Sequence, residues 1–162
     1  MSTANTQVQR VIAEMKFAFE GDETGENRFQ PAIWPLLANV DVKRAMHRPI
    51  PEGHNIWELV LHLITWKRYI TVRFQDEQMT VTPDMDWPPL PTPTETAWQA
   101  TKDELLRAHH EMIAAAEPLT DDMLDAPAAN GKVARYGIFH GIIQHDQYHG
   151  GQIALLKKAK LR

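Results

Sequence analysis

Four long stretches of this chain repeat their apolar residues at the spacing of an α-helix, and no short segment alternates as a half-buried strand would. The stretches cover residues 5–20, 56–78, 93–117 and 135–160. Since each has one apolar face, the four faces must be buried against one another. The sequence therefore predicts an all-α protein, a four-helix bundle with short extra helices.

Residue types at the ends of these stretches predict where the helices begin and end. Gly21 follows the first stretch at the position where helices commonly stop. Asn55 and Glu58 form a capping-box pattern before the second stretch. Thr92 followed by Pro93 predicts the start of the third, with Thr92 as its N-cap. The local sequence thus sets bounds for each long helix.

The remaining segments are predicted to be connections or weak helices. Residues 21–30 are polar and are expected to form a loop. Residues 32–46 have a weaker helical pattern that breaks in its middle. Residues 79–91 hold four prolines, which exclude a long helix or a central strand and predict a long connection between the second and third helices. Asn130-Gly131 is a turn signal.

Composition excludes several functional classes. The 162 residues are 43% hydrophobic and 23% charged, which predicts one globular domain spanning residues 1–162. A net charge of -4 argues against nucleic-acid binding. With neither a signal peptide nor an apolar run of membrane-spanning length, a cytoplasmic protein without membrane contact is expected. The absence of Cys removes disulfides, thiolate metal sites and cysteine nucleophiles.

The last stretch holds two histidines, His145 and His149, which share one helical face because a spacing of four leaves them roughly 40° apart. Burial of an imidazole without a partner costs roughly 1 to 3 kcal/mol, so a metal ion or hydrogen bonds must satisfy both. The pattern is similar to the HExxH zinc motif with Asp in place of Glu. No His, Asp or Glu follows His149, so a third ligand must lie upstream.

Two upstream histidines, His62 and His109, lie in mid-helix on apolar faces, and a bundle brings such faces together at its axis. Either one would complete a set of three neutral nitrogen ligands with one open position, as in catalytic sites. Spacing alone leaves both open. The other upstream histidines are expected to be solvated or capping; they are His47, His54, His110 and His140.

Three segments carry a resemblance to a known family: residues 53–62 (GHNIWELVLH), residues 87–88 (WP) and residues 145–153 (HDQYHGGQI). They resemble the DinB superfamily, the YfiT-like metalloenzymes, over nearly the whole chain. The resemblance implies a four-helix bundle, commonly a dimer, in which His62, His145 and His149 bind one divalent metal ion. It selects His62 over His109 as the third ligand.

The resemblance does not supply a single reaction, so three functions are considered. The first is a metal-dependent S-transferase that uses a low-molecular-weight thiol such as bacillithiol, mycothiol or glutathione. The alternatives are a metal-dependent hydrolase with a metal-bound water, and a non-catalytic metal-binding or interaction protein. The ion would be zinc or nickel, with manganese or iron as alternatives, since imidazole nitrogens suit several divalent metals. The expected partners are a small-molecule substrate and a second copy of the chain.

Four further residues are candidates for the surroundings of the site. Gln152 lies one turn beyond His149 and is expected to orient it. Asp146 is either a second such residue or a solvated surface charge. Tyr148 is expected to orient a ligand or to pack at the edge of the apolar face. Trp66, one turn after the histidine of the second helix, is expected to line a pocket for substrate.

Overall fold

The computed structural model describes residues 6–27, 29–129 and 131–161. Its helices are α1 (Gln7–Glu20), α2 (Ile33–Leu37), α3 (Val42–Met46), α4 (Ile56–Phe74), α5 (Pro83–Asp86), α6 (Glu95–Ala116) and α7 (Arg135–Lys158), with a 3₁₀ turn at Asp121–Met123. Strands β1 (Glu26–Asn27) and β2 (Gln30–Pro31) pair antiparallel. The all-α fold class predicted from periodicity is confirmed.

The four long helices pack as a bundle. Helix α4 packs on α6 and α7, and α1 packs on α7 and α6, so each long helix contacts two others. The short helices α2 and α3 pack against one end of this bundle, where α2 contacts α1 and α7. Of the helices described, none combines the length and apolar composition that a membrane crossing needs.

Two predicted helix ends are confirmed in detail. Gly21 ends α1 with φ of 78°, a left-handed conformation that glycine adopts without strain. At the start of α4, Asn55 Oδ1 accepts from the Glu58 amide at 2.9 Å, and the Glu58 carboxylate accepts from the Asn55 amide at 2.8 Å. The capping box therefore forms as its residues predict.

Two other predicted ends were wrong. Helix α4 stops at Phe74 rather than near residue 78, because Asp76 has φ of 58° and accepts hydrogen bonds from the Ala129 amide and from Arg135. Helix α6 begins at Glu95, and its N-cap is Thr94 rather than Thr92. For α4 the contacts of Asp76 outweigh the helical pattern that continues to residue 78. For α6 the cap formed by Thr94 outweighs the start predicted from Thr92 and Pro93.

The Thr94 cap has a clear physical basis. Its hydroxyl accepts from the Ala97 amide at 3.1 Å, and its extended backbone keeps the preceding Pro93 out of the helix. The Glu95 carboxylate accepts from the Val42 amide at 2.9 Å, which ties the start of α6 to α3.

The smaller predictions had mixed outcomes. The break in the 32–46 stretch is confirmed, because Asp41 caps α3 by accepting from the Arg44 amide at 2.7 Å. The 21–30 segment was expected to be a loop and instead includes strand β1 and half of β2. Helix α7 ends two residues before the predicted residue 160. The predicted Asn130-Gly131 turn lies partly outside the described residues.

The core has two apolar clusters separated by a polar layer. One cluster includes Trp57 and Trp98, and the other includes Met15 and Phe74. Three buried polar side chains lie where α4, α6 and α7 pass from one cluster to the other; they are Lys67, His109 and Asp146. The histidines of α7 flank Asp146 in the chain, so the polar layer and the candidate site share one level of the bundle.

Candidate metal centre

The three predicted histidines come together between α4 and α7. Helix α4 supplies His62, and α7 supplies His145 and His149 from successive turns. Each offers one ring nitrogen, and the three nitrogens lie within 4.8 Å of one another. The Nε2 atoms of His62 and His145 are 3.0 Å apart. Among the described residues, the group has the ligand types and spacing that could hold a metal ion.

Hydrogen-bond acceptors set the protonation of two of these rings. His62 Nδ1 lies 2.9 Å from the backbone oxygen of Asp86 and 3.1 Å from its carboxylate, so Nδ1 carries the hydrogen and donates it. His149 Nδ1 lies 2.6 Å from Gln152 Oε1 and donates in the same way. A neutral imidazole has one N–H, so Nε2 of both rings keeps a free lone pair.

Electrostatics keep all three rings neutral. Burial lowers the pKa of His62 and of His149 below the usual range. Burial, followed by the neighbouring His149, His62 and Lys67, lowers the pKa of His145 to about 3. Near pH 7 the site therefore presents uncharged imidazoles, the form in which histidine binds metals.

The geometry fits a divalent ion. A four-coordinate ion with metal–nitrogen bonds of about 2.0 to 2.1 Å separates its nitrogen ligands by roughly 3.3 Å, close to the 3.0 Å between His62 and His145. If His145 carries its hydrogen on Nε2, it can donate to Nε2 of His62. No ring nitrogen of the group is then left to donate to Nε2 of His149. A cation bound by all three nitrogens satisfies every lone pair.

Comparison with known proteins places this site in a family. Residues 27–153, which include all three histidines, match the sequence profile of the DinB superfamily. The chain belongs to the DinB superfamily. No curated protein and no solved structure matches it. The family predicted from the three sequence segments is thus confirmed.

In this DinB-superfamily protein the proline-rich connection covers His62. The Trp87 ring stacks on His62 with centroids 4.1 Å apart and on His54 with centroids 3.5 Å apart. The Asp86 carboxylate also accepts from Trp66 Nε1 at 2.8 Å. The last residue of α5, Asp86, therefore supplies a hydrogen-bond acceptor to the site, and the next residue, Trp87, supplies an aromatic cover.

Sequence reasoning missed Asp86 and assigned no contact to Trp87. Asp86 is the last residue of the short helix α5, 24 positions along the chain from the His62 that it contacts. The available signal was the Thr82-Pro83 start of a short helix ending in an acidic residue, which predicts structure but not its partner. The expectation that His54 is solvated or capping omitted its stack on Trp87.

Asp146 is buried, so the expectation of a solvated surface charge was wrong. Its Oδ2 lies 2.6 Å from Lys67 Nζ, and both side chains are almost fully excluded from solvent. Burial raises the pKa of Asp146 and lowers the pKa of Lys67, and in each case the partner opposes the shift. Asp146 Oδ1 has no hydrogen-bond partner among the described residues. Its observed contact is with Lys67 rather than with a ring of the histidine group.

The buried stripe of α7 explains this result. It runs through Ile142, Asp146 and His149, at spacings of four and three, while His145 lies at the edge of the stripe. Lys67 occupies a corresponding core position on α4, between Ile64 and Ile70. A lysine lies on the core face of α4 and an aspartate lies on the core face of α7. These two opposite charges were the signal that could have predicted the buried ion pair.

The other candidates lie at different distances from the site. Gln152 contacts His149, as its spacing suggested, and its orienting role stays a prediction. Tyr148 is 66% exposed and its ring meets that of His149 edge-on. Trp66 lines a cleft together with His145. His109 lies outside the three-histidine group and stacks on Phe19, with ring centroids 4.0 Å apart.

Proposed function

We propose that this protein is a metal-dependent enzyme in which His62, His145 and His149 hold one zinc or nickel ion, with manganese or iron as alternatives. We further propose that it transfers a low-molecular-weight thiol to a small-molecule electrophile. The observation that carries the proposal is the fixed protonation of two of the three rings. Asp86 and Gln152 accept from Nδ1 and so leave Nε2 of His62 and His149 free for a cation.

The ligand set favours catalysis over a purely structural role. Three neutral nitrogens leave one position of a four-coordinate ion for an exogenous ligand. A divalent ion bound there would lower the pKa of a thiol and hold its thiolate. The protein's own residues orient the rings through Asp86 and Gln152, and Trp87 shields one face of His62 from water.

The surroundings of the site favour thiol transfer over hydrolysis. A hydrolase would gain from a carboxylate free to act as general base. Asp86 Oδ1 already accepts from Trp66 and His62, and Asp146 is buried against Lys67. A reaction whose nucleophile is deprotonated by the ion alone is therefore better supported.

The first test is metal content. His62→Ala removes one of three ligands, so bound metal should fall from one equivalent per chain to a small fraction, measured by elemental analysis of the purified protein. His110→Ala is the matched control, because the His110 side chain is 61% exposed and lies outside the group. A wild-type protein without stoichiometric metal would contradict the proposal.

The second test is the reaction. The metal-loaded protein is incubated with bacillithiol, mycothiol or glutathione and a chloronitrobenzene electrophile, and the thioether product is quantified. His62→Ala should abolish its formation and His110→Ala should not. Release of product from ester substrates, without thiol consumption, would favour the hydrolase instead.

The cytoplasmic location and the homodimer stay predictions. The second is measured by light scattering coupled to size-exclusion chromatography, which gives the mass of the particle in solution. A mass of one chain, 18.5 kDa, would contradict the homodimer without bearing on the metal centre.

A further inference from the structure

An apolar cleft of about 300 Å³ begins at the histidine group and runs between α4 and α7. His145 lines it, while His62 and His149 do not. Helix α4 contributes Trp66 and Tyr69, and α7 contributes Ile138 and Ile142. This volume is at the lower end of the range for small-molecule sites, which suits a ligand of one or two rings.

The aromatic side of the cleft is held in place for ring stacking. The rings of Trp66 and Tyr69 are nearly perpendicular, at 73°, with centroids 5.3 Å apart. The Trp66 indole is fixed by its hydrogen bond to Asp86, the residue that also contacts His62. A flat ligand can stack on one ring and meet the edge of the other, a favourable arrangement for aromatic groups.

The one cationic side chain of the described lining is already committed. Arg73 donates to the backbone oxygens of Ala129 at 2.9 Å and of Ala128 at 2.5 Å. The carboxylate of Asp76 lies close enough to interact with it electrostatically. The cleft therefore offers mainly apolar and aromatic surface, and the guanidinium of its described lining is already held by two backbone oxygens.

We infer that this cleft binds the second substrate of the reaction as an uncharged compound with one or two aromatic rings, seated beside His145. Only the role of this compound as a substrate depends on the proposed function. The cleft, its aromatic side and the hydrogen-bonded guanidinium are features of the fold, and binding of an aromatic ring can be measured whether or not the reaction occurs.

Two glycines of α7 provide a matched pair of variants. Gly141 lines the cleft one turn before His145, and a Cβ built there meets no atom within 4 Å. Gly151 is equally open, and it is not part of the cleft. Leucine at either position favours the helix. Only Gly141→Leu places a side chain in the space that the ligand would occupy.

The test is calorimetric titration of the protein with 2-naphthalenemethanol and 2-naphthoate, which share a ring system and differ in charge. Wild type and Gly151→Leu should bind the alcohol with equal affinity, and Gly141→Leu roughly tenfold more weakly or not at all. Naphthoate should bind wild type more weakly than the alcohol does. Metal content is measured on the same samples.

Each other result has a defined meaning. If the alcohol does not saturate wild type, or binds Gly141→Leu equally well, the inference is wrong. Tighter binding of naphthoate would assign the cleft to anions and would also overturn it. If the alcohol binds as expected but the protein holds no metal, the proposed function fails and the aromatic site stands. If the protein holds stoichiometric metal but does not bind the ring, the inference about the cleft fails and the metal centre of the proposed function stands.

Discussion

At the scale of single residues, His109 shows how strongly burial acts on an ionisable group. The side chain is fully buried, the Glu20 carboxylate lies 3.4 Å from Nε2, and neither ring nitrogen makes a hydrogen bond among the described residues. Burial, followed by the charges of Lys67, His110 and Lys16, lowers its pKa to about 2. It is a neutral core residue stacked on Phe19, and the structure leaves it outside the histidine group.

This burial predicts a pH dependence of stability. Between pH 6.5 and the lowered pKa of about 2, the unfolded state binds a proton at this position and the folded state does not. Above pH 6.5 His109 therefore does not lower the free energy of unfolding. Below pH 6.5 that free energy falls by up to about 1.4 kcal/mol per pH unit. His109→Leu should flatten the fall in the free energy of unfolding between pH 6 and pH 4.

The measurement is urea unfolding of the metal-free protein at a series of pH values. Equal slopes for wild type and His109→Leu would show that the buried ring is not a source of the acid sensitivity.

At the scale of elements, the buried Lys67–Asp146 pair joins α4 to α7. Removal of one partner leaves an uncompensated buried charge, whereas replacement of both by apolar residues is often neutral or stabilising. Lys67→Met should lower the free energy of unfolding by roughly 3 to 5 kcal/mol. The double variant with Asp146→Leu should recover most of that loss, as measured by urea unfolding.

An exposed ion pair provides the control for this cycle. Arg107 and Glu111 lie 3.9 Å apart on the surface of α6, with side chains 61% and 55% exposed. Removal of either should change stability by less than about 1 kcal/mol. If the double variant of the buried pair is no more stable than Lys67→Met, the pair does not act as a charge-compensated unit.

At the scale of the whole molecule, a metal ion that joins α4 to α7 should stabilise the folded state by mass action. At a free metal concentration one hundred times the Kd, the gain is about 2.7 kcal/mol, or roughly 5 to 11 °C in Tm for a chain of this size. A chelator should remove this gain, as followed by thermal unfolding. The metal-free bundle should stay helical, because the two apolar clusters are built from hydrophobic side chains and neither includes a histidine of the group.

The same experiment separates a catalytic site from a structural one. Loss of helical circular dichroism on chelation would show that the ion holds the bundle together and would favour the non-catalytic alternative. A small shift in Tm with the helical signal retained agrees with the proposed enzyme.

The sequence by itself determined the four long helices, some of their ends and the faces that they bury, because periodicity and capping are local properties of the chain. It also placed His145 and His149 on one helical face, and the family resemblance selected His62. Tertiary structure alone brought the three rings together and gave His62 its contact with Asp86. It also made Asp146 a buried partner of Lys67.

The reason is the range over which each property acts. Helix rotation and the path of the proline-rich connection depend on packing between residues far apart in the chain, which no local pattern encodes. Asp146 shows this most clearly, since its charge suggested a solvated position and its partner on another helix made burial tolerable. The cleft beside His145 is likewise formed by residues of α4 and α7 that lie far apart in the chain.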